Sequence, residues 1–388
     1  MKNFIIFLFI FLGLSTIIWF FDNYDTKSYL ADTNKIVKNI NNHQNLTDDD
    51  LRKQIGQMIM VGFNGSSINE QSDVVKAIKE KKIGGVILFN RDKLSNIVSY
   101  QQTKKLINDL QSYSDIPLFI AVDAEGGKVN RLNDLIEIKS AYEMGNNKTN
   151  EITQIESSKL SQGLKNLGFN MNLAPVVDVN VNNNPAIGGL KRSFSNEPSQ
   201  VTYQANNFIL NHFKNNIIAV VKHFPGQGSA LKDTHNELAD ITNTYSESEL
   251  IPYQELNKKG LMRSVMVGHL INKNIDQNYP ASLSSKFIQN ILRQQIDFNG
   301  VVMTDDLQMS AIKNNFTFEE SIVLAINAGA DIVVATKSLS NQYDQNTPYK
   351  MHEIIYNNVK NGNIPITRIN ESYNRIIKLK EQFDIIKK

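Results

Sequence analysis

The stretch IIAVVKHFPGQGSALKDTH, residues 217–235, says the most about the fold. Its first five residues are apolar, which is typical of a strand with both faces buried. The chain then presents Lys222 and His223 at once, passes through a turn with proline and glycines, and reaches Asp233 and His235. A buried strand that ends in a cation and an imidazole indicates a polar site at the end of a sheet.

Similar apolar runs recur through residues 47–388, and amphipathic stretches such as 74–82, 152–168 and 317–329 separate most of them. The runs do not alternate apolar with polar residues, so both faces of each strand should be covered, as in a parallel sheet. Eight strand–helix units predict an α/β fold, a (β/α)8 TIM-type barrel forming a single catalytic domain, with a doubly wound open sheet as the alternative. The runs are 58–63, 83–89, 117–123, 169–179, 218–224, 264–270, 300–306 and 330–336.

Ionisable side chains end several of these runs. In a barrel the carboxyl ends of all strands share one face, where active sites lie, so residues far apart in sequence would converge on one pocket. Taken singly, Asp123 or Asp178 could cap a helix, and His269 could be a hydrogen-bonded core histidine. Charges at so many strand ends favour a shared site. The residues concerned are Asp123, Asp178, Lys222 with His223, His269, and Asp305 with Asp306.

Composition argues against several classes of function. The 388 residues include 41 basic and 39 acidic ones, a net charge of +2, which lacks the basic excess of a nucleic-acid-binding protein. Cysteine is absent, so disulfides and thiolate sites are impossible. His223, His235 and His269 could join carboxylates in a metal site, but the close histidine spacing of metal motifs is missing, so we expect no metal and no cofactor.

The first 21 residues have a different character from the rest. After Lys2, residues 4–21 carry no charge, a length that reaches the roughly 17–25 residues of a membrane span. We interpret 1–21 as an uncleaved signal anchor, with a cleaved signal peptide as the alternative. Residues 22–46 are polar and rich in asparagine, and resemble a tether. The catalytic domain would then lie outside the cytoplasm, held at the inner membrane or exported.

Seven motifs, in order along 47–388, resemble glycoside hydrolase family 3 and its β-N-acetylhexosaminidase branch. They are VDAEGGKVNRL (122–132), LAPVVDV (173–179), KRSFS (191–195), KHFPGQG (222–228), DTH (233–235), MVGH (266–269) and TDDLQM (304–309). Each lies at a predicted strand end or in the loop that follows it.

The resemblance implies a retaining mechanism in which Asp305 is the nucleophile, His235 the general acid/base, and Asp233 the carboxylate that orients it. In chemical terms, a carboxylate can stabilise or trap the positive charge that develops on the sugar ring. A neighbouring carboxylate raises the pKa of an imidazole, which keeps it protonated near neutrality. The substrate-binding residues expected from the resemblance and from the strand ends are Asp123, Arg131, Asp178, Arg192, Lys222, His223 and His269.

Three features depart from the family pattern. Gln227 stands where a histidine is usual, Lys128 replaces a usual arginine, and the stretch before Arg192 is longer than the family's usual turn. None of these changes removes a proposed catalytic group. Gly226 and Gly228 leave the loop before Asp233 few restraints, which suits a lid that closes on substrate.

The sequence therefore predicts a monomeric, exo-acting β-N-acetylglucosaminidase acting on terminal β-linked GlcNAc of peptidoglycan fragments or chitooligosaccharides. One alternative is a β-glucosidase or β-xylosidase of the same family, although those members generally lack the KHFPG and DTH combination. Another is a membrane-tethered barrel that binds muropeptides without turnover, and a third is a metal-dependent hydrolase.

Overall fold

The computed structural model describes residues 46–90, 95–146, 149–234, 237–336 and 344–386. The proposed signal anchor, 1–21, and almost all of the proposed tether, 22–46, lie outside these residues. Among the helices that the structure does describe, none is long and apolar enough to cross a membrane.

Eight parallel strands form a closed barrel within these residues. Each strand is hydrogen-bonded to the strands that precede and follow it in the chain, and β1 closes the barrel by pairing with β8, Ile59 opposite Val333. The predicted barrel is therefore confirmed, and the open-sheet alternative is wrong because no edge remains. The strands are β1 (Ile59–Val61), β2 (Gly85–Ile87), β3 (Phe119–Val122), β4 (Met171–Asn172), β5 (Ile218–Phe224), β6 (Ser264–Val267), β7 (Val301–Asp306) and β8 (Ile332–Ala335).

The apolar runs of the sequence are the walls of this barrel. All seven residues of β5 are buried, including Lys222 and His223 at its end. Burial on both faces follows from the architecture, since side chains on one face fill the barrel and those on the other contact the surrounding helices. The run 169–179 is the exception, because only two residues form a strand and the rest continues as a buried loop with a single bridge from Val176 to Lys222.

Helices surround the barrel at the predicted positions. Capping boxes at Ser99 and Thr317 fix the first turns of two of them, and left-handed glycines at 168 and 329 end two, of which the second is the helix that Thr317 caps. The α-helices are α1 (Asp48–Gln57), α2 (Asp73–Lys79), α3 (Tyr100–Ser112), α4 (Ala141–Asn146), α5 (Glu151–Leu167), α6 (Pro198–Lys214), α7 (Ile251–Lys258), α8 (Ser310–Lys313), α9 (Phe318–Ala328), α10 (Thr347–Lys360) and α11 (Ile366–Gln382). A π-helix spans Lys286–Gln295, and short 3-10 turns span Glu247–Leu250 and Ala281–Leu283.

A buried ion cluster lies at the amino-terminal end of β8. Asp331 accepts hydrogen bonds from Arg293 at 2.8 Å and Arg375 at 3.0 Å, and it also pairs with Arg368. The three arginines hold the pKa of Asp331 below its usual value, although burial alone would raise it. Residues at the amino-terminal end of a TIM barrel typically stabilise the fold, and active sites lie at the opposite end. The Asp331 cluster connects β8 to the surrounding helices, so we interpret it as structural.

Candidate active site

A cavity of about 370 Å³ opens at the carboxyl ends of the barrel strands. Its wall contains side chains from the ends of five strands and from the loops that follow them. Most of the residues predicted from the sequence converge here, as expected for the catalytic face of a barrel. The predicted residues that line the cavity are Asp123, Arg131, Arg192, Lys222, His223, Asp233 and Asp305.

A buried ion network forms one wall of the cavity, and its centre is Glu125. Its carboxylate accepts two hydrogen bonds from the Arg192 guanidinium, at 2.7 Å from Nε and 2.8 Å from Nη2. The Lys222 ammonium lies 2.7 Å from Glu125 Oε1 and 2.8 Å from Asp123 Oδ1. Two cations and two carboxylates thus hold one another in fixed positions at the cavity wall.

Charge pairing in this network outweighs burial. Burial alone would raise the pKa of Glu125, but Arg192 and Lys222 hold it well below its usual range. Burial alone would lower the pKa of Lys222, but Asp123 and Glu125 raise it overall. The pKa of Arg192 is raised in the same way, chiefly by Glu125. All three groups are therefore charged at neutral pH.

His223 is oriented from behind by Asp178. The imidazole Nδ1 lies 2.7 Å from Asp178 Oδ2, and the His223 backbone N–H donates to Asp178 Oδ1 at 3.1 Å. Asp178 is fully buried and does not line the cavity, whereas His223 does. Asp178 therefore lies behind the cavity wall, in contact with a residue that lines it.

Asp305 and Asp306 end β7 with different environments. Asp305 is partly exposed to the cavity, and its Oδ1 accepts the Asp306 backbone N–H at 2.8 Å. Asp306 is buried, pairs with the Thr336 hydroxyl and accepts N–H groups of Gln308 at 2.9 Å and Thr336 at 3.2 Å. Burial raises the pKa of Asp306 despite these bonds. Asp305 is the carboxylate that is open to a substrate.

His269 does not reach the cavity. It is fully buried, with Nδ1 2.8 Å from the Ser282 hydroxyl and Nε2 3.0 Å from the Asp306 carbonyl oxygen. His269 was predicted to bind substrate, and it is not among the residues that line this cavity. It lies two residues beyond the end of β6, so its position depends on the turn that follows the strand.

The loop after β5 brings Asp233 and Thr234 to the cavity wall. His235, the predicted acid/base, lies outside the described residues. Gln227, where the family usually has histidine, is buried and donates from Nε2 to the Thr234 hydroxyl at 3.2 Å. This contact connects the start of the loop to the residue that precedes His235.

Arg131 and Lys128 also line the cavity. The Arg131 Nε is buried and has no hydrogen-bond partner in the described part of the chain. Lys128 is exposed at the rim. Cations and carboxylates both line this small space, a combination that suits a neutral ligand rich in hydroxyl groups.

Two functional candidates escaped the sequence analysis. Glu125 lies inside the VDAEGG motif, two residues after Asp123, and an acidic residue between a buried strand and two glycines was a usable signal. Glu249 follows a serine-rich loop and gives no such signal, because its contacts with residues 228 and 229 exist only in the folded chain. Within the described residues, no group of three or more histidine, aspartate or glutamate side chains could hold a metal ion.

Comparisons with known proteins agree with this geometry. The family model described as the glycosyl hydrolase family 3 N terminal domain matches residues 50–379. A β-hexosaminidase of Nitrosomonas eutropha is 32% identical over 286 residues, 71% of this chain and 79% of that protein. An uncharacterized secreted glycosyl hydrolase of Arthroderma benhamiae is 28% identical over 84% of this chain and 92% of that protein.

A solved structure has the same fold. The glycoside hydrolase family 3 β-N-acetylglucosaminidase from Paenibacillus sp. FPU-7 superposes with a TM-score of 0.79 and 31% identity. The match covers 86% of this chain and 63% of that one, so this chain spans less than two thirds of the longer Paenibacillus protein.

Proposed function

The chain belongs to glycoside hydrolase family 3, and from that membership we propose that it is an exo-acting, retaining β-N-acetylglucosaminidase. Its proposed substrates are peptidoglycan fragments or chitooligosaccharides with a terminal β-linked GlcNAc. The observation that carries the proposal is the presence of Asp305 and Asp233 on the wall of one cavity, beside the network of Glu125 with Arg192 and Lys222. The names of the bacterial relatives support the choice of an N-acetylhexosamine.

The proposed chemistry has two steps. In the first, Asp305 attacks the anomeric carbon while the glycosidic C–O bond breaks, and His235 gives its proton to the departing oxygen. In the second, water attacks the glycosyl ester on Asp305, and His235 takes a proton from that water. Each step inverts the anomeric centre, so the product keeps the β configuration. Asp233, two residues before His235, would stabilise the protonated imidazole.

The buried network is the proposed sugar clamp. Asp123 accepts from Lys222 and keeps further lone pairs for sugar hydroxyls, and the Arg131 guanidinium lines the same cavity. Because the network is held by its own ion pairs, little reorganisation is needed when a sugar binds. The volume of about 370 Å³ is near the lower end of the roughly 300–1,000 Å³ of ligand pockets, which favours one terminal sugar over an internal chain segment.

The decisive experiment measures release of 4-nitrophenol from its β-GlcNAc glycoside. Asp305→Asn should lower kcat by about 10³-fold or more, the scale on which removal of a covalent nucleophile acts in other enzymes. The matched control is Asp115→Asn, since the Asp115 side chain is 76% exposed, does not line the cavity and precedes β3, at the end of the barrel opposite the cavity. An Asp305→Asn enzyme with the activity of the control would contradict the nucleophile assignment.

The same assay separates the alternatives. Glucose or xylose glycosides cleaved faster than the GlcNAc glycoside would favour the other family activities. Binding without release of product would favour a muropeptide-binding barrel, and loss of activity with a chelator would favour a metal-dependent hydrolase.

We also propose that the enzyme works outside the cytoplasm, anchored at the inner membrane or exported. The uncharged residues 4–21 support this placement, as does the printed description of the Arthroderma relative as secreted. Protease added to intact spheroplasts should then degrade the enzyme, whereas a cytoplasmic protein in the same cells should survive.

A further inference from the structure

The base of the loop that leads to Asp233 is held by two buried carboxylates. Three successive backbone N–H groups point at them. Gln227 donates to Asp178 Oδ1 at 2.9 Å, and Gly228 and Ser229 both donate to Glu249 Oε2, at 2.9 and 3.2 Å. Successive N–H groups that converge in a turn form an anion-binding concavity, and here the chain's own carboxylates occupy it.

Glu249 has no obvious reason to be buried other than this contact. It is fully buried on the 3-10 turn Glu247–Leu250, and its other oxygen, Oε1, has no hydrogen-bond partner among the residues that the structure describes. The titratable groups around it are Asp178, Tyr245 and Tyr253, none of which is a cation. Burial, with a smaller contribution from the Asp178 charge, raises the pKa of Glu249 to about 7. Burying a carboxyl group costs stability unless hydrogen bonds or charge partners compensate, so a buried carboxyl group at the base of this loop is a candidate for a functional role.

The loop lies against Glu249 and Asp178 with no spare room. A Cβ on Gly228 would stand 1.5 Å from the Val179 carbonyl oxygen, and one on Gly226 would stand 2.6 Å from the Glu249 Cβ. On its other side, the loop's carbonyl groups accept from asparagine side chains, Asn182 to Ser229 at 3.0 Å and Asn184 to Gln227 at 3.2 Å. The N–H side and the carbonyl side of the loop base are therefore both fixed.

We propose that Glu249 is a positioning residue for proton transfer, which holds the loop base and with it Asp233 at the cavity wall, two residues before the proposed acid/base His235. The inference rests on the proposed function. Glu249 acts through the backbone of Gly228 and Ser229, and the Gln227–Thr234 hydrogen bond passes that constraint to the far end of the loop. Its loss should weaken the supply of a proton to the leaving group more than it weakens attack by Asp305.

Three substitutions separate the contact from the charge. Glu249→Gln keeps an oxygen that can accept both N–H bonds. Glu249→Leu has similar size and no acceptor, and Glu249→Asp keeps the charge but withdraws the oxygens by one methylene. Glu247→Leu is the matched control, because Glu247 lies on the same turn and is exposed.

The readout is kcat/KM on two β-GlcNAc glycosides, one with 2,4-dinitrophenol and one with phenol as leaving group. The first needs little protonation and the second needs much. In Glu249→Leu, kcat/KM should fall by at least about tenfold more on the phenyl glycoside than on the dinitrophenyl glycoside. This difference is part of the roughly 10²–10⁴-fold rate increase that general acid catalysis provides. Glu249→Gln and Glu247→Leu should stay within about threefold of the wild type on both.

The outcomes distinguish this inference from the function on which it rests. Equal losses on both glycosides, or a glutamine variant as impaired as the leucine variant, would overturn the role of Glu249. If a thermal scan shows that Glu249→Leu does not fold, Glu249→Asp is measured in its place. It too should lose more kcat/KM on the phenyl glycoside than on the dinitrophenyl glycoside. A wild-type enzyme that cleaves neither glycoside would instead overturn the proposed function.

Discussion

Replacing Glu125 with glutamine tests the centre of the sugar-binding network. In the wild type one buried carboxylate accepts three hydrogen bonds, two from Arg192 and one from Lys222, at 2.7–2.8 Å. The amide of glutamine carries no charge and turns one oxygen into a donor that must face a cation. Lys222 would then keep its contact with Asp123, whereas Arg192 would lose the carboxylate with which it pairs.

The cost follows from the burial of the network. Breaking a buried ion pair by removing one partner destabilises a protein by about 3–5 kcal/mol. Unfolding entropy is about 2.1 cal/mol/K per residue, or roughly 0.7 kcal/mol/K for the approximately 340 residues from Asp49 to Lys388, so Tm should fall by about 4–7 °C. Because Arg192 and Lys222 line the cavity, we also expect kcat/KM for the 4-nitrophenyl β-GlcNAc glycoside to fall by about 10-fold or more.

The pH dependence has a definite sign. The folded pKa of Glu125 lies well below its unfolded value of about 4.3, so its stabilising contribution is complete above that value and is lost as the pH falls below it. The difference in Tm between the wild type and Glu125→Gln should therefore shrink from pH 6 towards pH 3. Thermal unfolding followed by circular dichroism over this range measures the effect.

The control is Glu353→Gln. Glu353 also pairs with an arginine, Arg52, at 2.6 Å, but the two side chains are 46% and 34% exposed. Exposed pairs contribute about 0–1 kcal/mol, so this variant should keep its Tm within about 1.5 °C and its activity in full. If Glu125→Gln behaved like this control in both stability and activity, the reasoning about the network would be wrong.

Two further substitutions test other parts of the barrel. Asp331→Asn should lower Tm by a similar amount, about 4–7 °C, because Arg293, Arg368 and Arg375 lose their shared carboxylate. Its kcat/KM should stay unchanged, since the cluster lies at the end of the barrel opposite the cavity. A large loss of kcat/KM would contradict the assignment of stability to one end of the barrel and chemistry to the other. Gly228→Ala places a Cβ 1.5 Å from a backbone oxygen and should lower kcat by about tenfold or more. In the control Gly260→Ala the new Cβ has nothing within 4 Å, so this variant should lose only about 1 kcal/mol of stability. Equal activity in the two variants would show that the loop can rearrange without affecting catalysis.

Local patterns predicted most of the fold. The eight apolar runs coincide with the eight barrel strands, and the amphipathic stretches 74–82, 152–168 and 317–329 coincide with helices to within a few residues. The prediction of family 3 membership is likewise confirmed. The assumption of a full strand over 169–179 was wrong, since hydrophobicity alone does not distinguish a strand from a buried loop.

The site was predicted less completely. The strand-end residues Asp123, Lys222 and Asp305 line one cavity, whereas His269, which was chosen by the same rule, does not line it. Glu125 and Glu249 were missed because their partners lie far away in the chain, Arg192 and Lys222 for the first and the loop at 228–229 for the second. No spacing rule connects such residues.

The amino-acid sequence by itself determined where strands and helices form and which end of the barrel carries polar chemistry, because burial and helix or strand periodicity are properties of short segments. Only the tertiary structure decided which charges meet: Glu125 between Arg192 and Lys222, Asp178 behind His223, and Glu249 beneath the loop. The physical reason is that these pairings depend on how the closed barrel staggers its strands and turns each terminal side chain inward or outward, a geometry set by packing across the whole domain.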